Sequence, residues 1–286
     1  MSADTEVAIG LPVYNGAAFL DEAMASLCAQ DFGDLRIVVS DNASTDATPA
    51  ILAAWAARDR RIELHRQAAN IGMIGNFAFV RQTARARWFM LAAHDDRWSP
   101  NFVSALHAAA TREPGCLLAV PQVVKTTLAG EEDLRFAVPA QVTVARGLAR
   151  RLALLRWAQS GWIYGLVDRA ALLRAQEATE RFGHAWGNEF ITLLPFLLDG
   201  RVAAANEAVY YQRQTPLSEA RYKPRVLADQ KRLYRDFLRE ALRLLGGSGL
   251  PAAQRAALLP ALLRYTGRHA WKLRRLVLTG LGLRRP

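Results

Sequence analysis

Two adjacent carboxylates, Asp95 and Asp96, follow His94 directly after the apolar run Trp88-Phe89-Met90-Leu91-Ala92-Ala93. The run reads as a buried strand, so the acids stand where it emerges into solvent. The carboxyl ends of strands are where open α/β sheets hold their ligands. An Asp-Asp pair alone is most often a solvated turn. Here it is the third of three polar loops, each following an apolar strand-like run. Leu11-Pro12-Val13-Tyr14-Asn15-Gly16 comes after Val7 to Gly10, and Asp41-Asn42-Ala43-Ser44-Thr45-Asp46 comes after Leu35 to Ser40. Together the three loops point to one crevice.

The elements that position these loops are legible as periodicity. Val7 to Leu11, Leu35 to Ser40, Ile62 to His65 and Trp88 to Ala93 read as strands. Ala17 to Ala29, a run capped by Ser44 or Thr45 through Ile51, Leu52 and Trp55, Gly75 to Ala84, and Pro100 to Thr111 read as helices. This alternation predicts an α/β fold with a parallel sheet flanked by helices. No Gly-x-Gly-x-x-Gly follows the first strand, which disfavours a dinucleotide fold. After the strand Leu117 to Val124 the regularity weakens. A basic helix near Arg146 to Trp157, a helix from Asp168, an apolar helix ending at Leu198 and a strand Val202 to Tyr211 follow.

With 51% hydrophobic residues in 286, the chain has ample material for a core. Cys28 and Cys116 lack partners at metal-ligand spacing and read as reduced core thiols, which suits a cytosolic compartment. The first residues carry no basic region leading into an apolar stretch, and no run is long enough to span a membrane. The net charge of +11 is unevenly spread: from Pro216 onward there are 16 Lys and Arg against 4 Asp and Glu, and before it 21 against 22. A near-neutral body with a basic, Leu-rich end argues against nucleic acid as partner and for an anionic surface.

The ordered set Pro12-x-Tyr14-Asn15, Asp41-Asn42-x-Ser44-Thr45-Asp46, Asn70-x-Gly72 with Asn76, and Asp95-Asp96 resembles the family 2 glycosyltransferases of GT-A fold, over roughly residues 7–215. The resemblance implies an enzyme that holds a nucleotide sugar and a divalent cation, Mg²⁺ or Mn²⁺, against the charge that builds on a departing diphosphate. It makes Asp96 the metal ligand and sets Asp95 against the ribose or sugar. Asp41 and Asn42 stand where the family grips base and ribose, leaving open which of the two meets the base. Tyr14 is placed to stack, Pro12 to shape the loop, and Asn15, Asn70 and Asn76 to line the donor site.

The acceptor side is less regular. Glu189, opening the helix Asn188-Glu189-Phe190-Ile191, matches the position of the family's general base, although Asn replaces the first acid of the usual pair and Glu the Asp. A Glu at a helix N-terminus is also a common structural device. Arg213, in Tyr211-Gln212-Arg213-Gln214-Thr215 with Ser218, matches an Arg that closes over the diphosphate, while Gln214 takes the place of the usual His. Trp162, Tyr164 and Trp186 would shape the acceptor side.

The resemblance therefore implies an inverting transferase passing a sugar from a nucleotide donor, expected to be UDP-linked, to a saccharide or lipid-linked acceptor. A sugar nucleotidyltransferase, or a non-catalytic sugar-nucleotide-binding protein of the same fold, is the alternative. The expected division is a nucleotide-sugar-binding half at 1–115, an acceptor-binding half at 116–215 and a basic amphipathic helical extension at 216–286. In the extension, Leu, Tyr and Phe recur at helical spacing among Lys231, Arg232, Arg235, Arg239 and Arg243. After Gly246-Gly247-Ser248-Gly249 the pattern resumes through Arg264, Arg268, Trp271, Lys272, Arg274 and Arg275. Such helices dock on an anionic membrane face or pack on the protein body. The first reading places the chain peripherally on the cytoplasmic side of the membrane.

Overall fold

A computed structural model of the protein describes residues 5–214 and 223–270. Thr215, Ser218, Trp271, Lys272, Arg274 and Arg275 lie outside the described residues. The chain divides into two compact units. The first comprises residues 1–138, 164–173 and 202–214, and the second 139–163, 174–201 and 215–286.

The first unit holds the whole sheet. Its strands are β1 (Thr5–Val13), β2 (Leu35–Asp41), β3 (Ile62–Arg66), β4 (Ala86–Leu91), β5 (Arg97–Trp98), β6 (Leu118–Thr126), β7 (Glu132–Phe136), β8 (Leu166–Asp168) and β9 (Val202–Arg213). Helices α1 (Ala17–Cys28), α2 (Thr48–Ala56), α3 (Gly72–Thr83) and α4 (Phe102–Arg112) connect them. The order is β3-β2-β1-β4-β8-β6-β9-β5, with β7 on β6. Strands β1 to β4 pair in parallel, as the βαβ alternation predicts. Val7, Ile9, Leu11, Ile37 and Val39 have no solvent exposure, and strands buried on both faces read as continuous apolar runs.

Beyond β4 the sheet becomes mixed. The three-residue β8 runs antiparallel to both β4 and β6, and β6 pairs in parallel with β9. Hence β1, β2, β4 and β9 all point one way, and the residues following each leave the sheet at the same edge. The loops at 14–16, 42–46 and 92–96 and the end of β9 at Arg213 therefore meet there.

The second unit is helical: α5 (Ala140–Val144), α6 (Gly147–Trp157), most of α7 (Arg169–Phe182), α8 (Asn188–Asp199), and two C-terminal helices, α9 (Leu227–Gly246) and α10 (Ala252–His269). The apolar stripe of α9 (Leu233, Phe237, Ala241, Leu245) is buried, as are Leu258, Leu262 and Tyr265 of α10. Lys231, Arg232, Arg235, Arg239 and Arg243 remain on the exposed side of α9. Within its unit the extension thus packs by its apolar face and presents its charges outward. Among the described residues no helix is long and apolar enough to cross a membrane.

Candidate active site

The β1 and β2 loops are tied together by side chains that also force unusual backbone. Asn15 adopts φ 49° and Ala43 φ 58°, the left-handed region that a non-glycine residue enters only when its surroundings hold it there. Asn15 accepts the Thr45 N–H at 2.9 Å, and its own N–H donates to Ser44 Oγ at 2.9 Å. Gly16 N–H donates to Thr48 Oγ1 at 2.9 Å and Ala17 N–H to Asp46 at 3.1 Å. Gly16 also admits the third loop: a Cβ there would lie 2.6 Å from His94 Cδ2, so only glycine lets the imidazole close over the β1 turn. His94 packs against that turn.

Where β2 ends, Asp41 and Asn42 divide their work. Asn42 is fully engaged: its amide donates to Asn70 Oδ1 at 3.0 Å and Gly72 O at 3.2 Å, and its oxygen accepts the Ile71 N–H at 2.9 Å. It clamps the 70–72 loop. Asp41 is 1% exposed; Oδ1 takes the Ser44 N–H at 3.0 Å, while Oδ2 is buried without a hydrogen bond, with Arg66 Nε 3.6 Å away. Asn76, 3% exposed, lies one layer below, accepting from Ser40 Oγ at 2.6 Å and donating to the Ser40 carbonyl at 3.0 Å and the Val13 carbonyl at 3.4 Å. It ties the ends of β1 and β2 to α3. Pro12 is buried opposite Ser40, and Tyr14 is 45% exposed at the mouth.

The paired acids differ from one another. Asp95 is half-buried and its carboxylate has no hydrogen bond to the described residues. Asp96 is 5% exposed; Tyr210 Oη donates to Oδ2 and the Arg213 N–H donates to Oδ1 at 2.7 Å. Burial, and then the neighbouring charge of Asp95, push the Asp96 carboxyl up to about 8, against the pull of its two donors. Beneath it, Tyr210 stacks between Tyr164 (4.8 Å between centroids) and Trp98 (5.9 Å). Tyr164, a candidate for the acceptor side, therefore supports the residue that holds Asp96.

Arg213 is 3% exposed in its side chain. Its guanidinium donates to the Asp95 carbonyl at 2.9 Å, the Leu128 carbonyl at 2.5 Å and Glu22 Oε2 at 2.5 Å, and covers the Phe19 ring at 4.5 Å. Arg97 shares Glu22 at 2.8 Å and reaches the Gly130 carbonyl at 2.8 Å. Arg213 thus holds the acid loop against the 128–130 turn. Tyr210, Glu22 and Arg97 did not stand out in the sequence. Tyr210 alone left a trace, as the inward residue of the alternating β9, three before Arg213.

In the helical unit, Glu189 occupies the first turn of α8, behind Gly187 at φ 80°. Its carboxylate is raised above the ordinary range by burial. Asn188, in place of an acid, accepts from Thr192 Oγ1 at 3.2 Å, and Thr192 pairs with Thr179 at 2.7 Å. Trp162 is a core residue at 1% exposure, and Trp186 is half-buried under the Lys223 ammonium at 5.5 Å.

Residues 8–143 match Glycosyl transferase family 2. The chain carries a family 2 glycosyltransferase domain. It is 37% identical over 90 residues to an uncharacterized protein of Mycobacterium tuberculosis. That match takes in 30% of this chain and 25% of the relative, so the chain spans a quarter of that curated protein's length. S. aureus TarS 1-349 in complex with UDP-GlcNAc superposes at TM-score 0.69 and 15% identity, over 98% of this chain and 76% of that one. A mannosyltransferase from Pyrobaculum calidifontis, in complex with GDP-Man and Mn²⁺, gives TM-score 0.50 and 17% identity over 98% and 80%. These likenesses show the GT-A fold around the family 2 domain, with its largely parallel sheet.

Among the described residues no three His, Cys, Asp or Glu side chains cluster to hold a metal ion. The carboxylates of Asp95 and Asp96 nevertheless suit a hard cation that takes its remaining ligands from a diphosphate and water. Each oxygen of Asp96 has a second lone pair beyond its present donor, and Asp96 is raised because burial and Asp95 leave its charge uncompensated.

Proposed function

We propose that this chain is an inverting, metal-dependent glycosyltransferase. It moves a sugar from a UDP-linked donor to a hydroxyl of a saccharide or lipid-linked saccharide in surface polysaccharide or glycoconjugate synthesis. The observation that carries the reading is the second oxygen of Asp41, buried at a strand's carboxyl end with no hydrogen bond. An unsatisfied buried acceptor costs about 1–3 kcal/mol, and the imide N–H of uracil is a donor that would remove that cost. Tyr14 stands exposed beside it to cover the base. The neighbours' complexes with UDP-GlcNAc and with GDP-Man support a nucleotide-sugar donor.

Asp96 and Asp95 would hold Mg²⁺ or Mn²⁺, which when bound would neutralise charge on the leaving diphosphate. Tyr210 and the Arg213 N–H aim the Asp96 carboxylate, and Arg213 fixes the loop through the Asp95 carbonyl. Glu189 would take the proton of the acceptor hydroxyl, its raised pKa bringing it closer to the working pH of a general base. The outward cations of α9 support docking on the anionic cytoplasmic membrane face through charge, since the helix's apolar stripe is buried.

Calorimetry with UDP, CDP and UDP-GlcNAc, with and without Mn²⁺, tests the reading. UDP with Mn²⁺ should bind at least tenfold more tightly than CDP, whose cytosine N3 accepts instead of donating. Equal binding of the two nucleotides, or binding indifferent to Mn²⁺, would refute it.

A further inference from the structure

Glu189 stands on a turn held in place by the C-terminal helix. The Tyr265 hydroxyl of α10 donates to the carbonyl of Phe190 at 2.7 Å. The Phe190 ring lies flat on the His269 imidazole, with centroids 3.6 Å apart and planes at 19°, and meets Tyr265 edge-on at 6.0 Å and 82°. Gly187 is held by its backbone, since its φ of 80° excludes most other residues, and the Phe237 ring and the His269 carbonyl lie at ordinary contact, 3.4 and 3.5 Å from where a Cβ would be. The residues on both sides of Glu189 are therefore moulded by α9 and α10. Among the described residues the Glu189 carboxylate accepts a hydrogen bond from its own backbone N–H. Its charge reaches Tyr265, whose hydroxyl is raised well above the ordinary value first by burial and also by Glu189, against the opposing charge of Arg268. The imidazole of His269 is held neutral by burial and then by Arg268, and its Nε2 is buried without a partner. A neutral ring used as a stacking platform needs neither its charge nor that nitrogen.

We propose that Tyr265 and His269 are positioning residues for Glu189, so that the C-terminal helix aims the base and is more than a tail. The inference rests on the reading of Glu189 as general base. The physical reason is geometric: a displacement of about 1 Å at a reacting group can cost on the order of a hundredfold in rate. The Tyr265 hydroxyl and the His269 ring both bear on Phe190, the residue next to this side chain.

The test is the carbon-13 NMR titration of the glutamate carboxyls in full-length protein, with Glu189 assigned by its loss in Glu189→Gln. In Tyr265→Phe the ring is kept and only the hydroxyl is removed, so the Glu189 titration should move from its raised position toward the ordinary value near 4.5. Steady-state UDP release from UDP-GlcNAc should show kcat down ten- to a hundredfold with the donor KM unchanged. His269→Phe, which preserves the stack, should behave like the natural protein, whereas His269→Ala should behave like Tyr265→Phe. An unmoved Glu189 titration in both Tyr265→Phe and His269→Ala would overturn the proposal. If Tyr265→Phe does not fold, the His269 pair decides alone. Should Glu189→Gln retain full turnover while Tyr265→Phe still moves the titration, the base assignment falls and the positioning stands.

Discussion

Replacing Tyr210 with Phe removes one hydroxyl from beneath Asp96 and leaves the Trp98 and Tyr164 stacking in place. The hydroxyl donates to a buried carboxylate, and hydrogen bonds to charged groups contribute about 1.5–3 kcal/mol. At 1.36 kcal/mol per pKa unit, the Asp96 carboxyl should climb by about one to two units above its present value near 8. A divalent ion binds only the carboxylate, so below this pKa every unit of pH should cost close to tenfold in Mn²⁺-dependent UDP affinity. In the natural protein the affinity should rise up to about pH 8 and then level off. In Tyr210→Phe the break should move to about pH 9–10, with UDP bound about 10- to 100-fold more weakly at pH 7 and the difference closing in strong alkali. Calorimetric titration of UDP and Mn²⁺ across the pH range reads both quantities. A break at the same pH in both proteins would show that the hydroxyl does not tune Asp96.

The same raised carboxyl makes folding itself pH-dependent. Its folded pKa lies above the unfolded value near 4, so the stability it contributes is complete below about pH 4 and lost as pH rises to about 8. Asp96→Asn should flatten denaturant midpoints over that window, and an unchanged slope would refute the assignment. Asp41→Asn should weaken UDP binding about 10- to 100-fold by giving up an acceptor for the imide, while the Ser44 turn persists; equal affinity would move the base contact elsewhere. Leu262→Ala, within the buried stripe of α10, should cost about 2–5 kcal/mol in unfolding free energy, and a cost near zero would mean that α10 is not part of the core. Binding of full-length protein to anionic vesicles should decline with added salt, whereas salt-independent or absent binding would count against docking through the α9 cations.

The strands and motifs of the first hundred residues were legible because buried parallel strands and their crossover helices each have a distinct period. Expected and observed limits differ by two residues for Trp88 to Ala93 and by three at the start of α3, where Asn70 and Gly72 carry the turn. The later strands were harder: β5 is two residues long and β8 three, too short to show alternation, yet β8 joins the two halves of the sheet. Within the site, residue types marked the positions and only the fold separated their contacts. Asp41 and Asn42 are neighbours of similar shape, but one keeps a buried oxygen without a hydrogen bond and the other is consumed by the 70–72 loop. Arg213 stood out as a cation for a diphosphate, and its partners Glu22, Leu128 and Asp95 come from sequence positions no spacing rule connects. The apolar stripe of α9 and α10 reads from sequence as facing lipid or protein, and within the helical unit it is buried.

Asp96 receives its two donors from residues 114 and 117 positions further along the chain. On a ribosome adding about 5–20 residues per second, the acid loop emerges roughly 6–23 s before the strand that completes it. For the first part of that interval, until residues 166–168 emerge, β4 also lacks its neighbour β8, leaving an apolar strand with an open edge. An open apolar edge is the form most prone to pair with another chain. Synthesis therefore passes through a vulnerable stage that ends only when β8 and β9 arrive, and the yield of active protein should be more sensitive to chaperone supply and translation speed over residues 97–213 than anywhere earlier in the message.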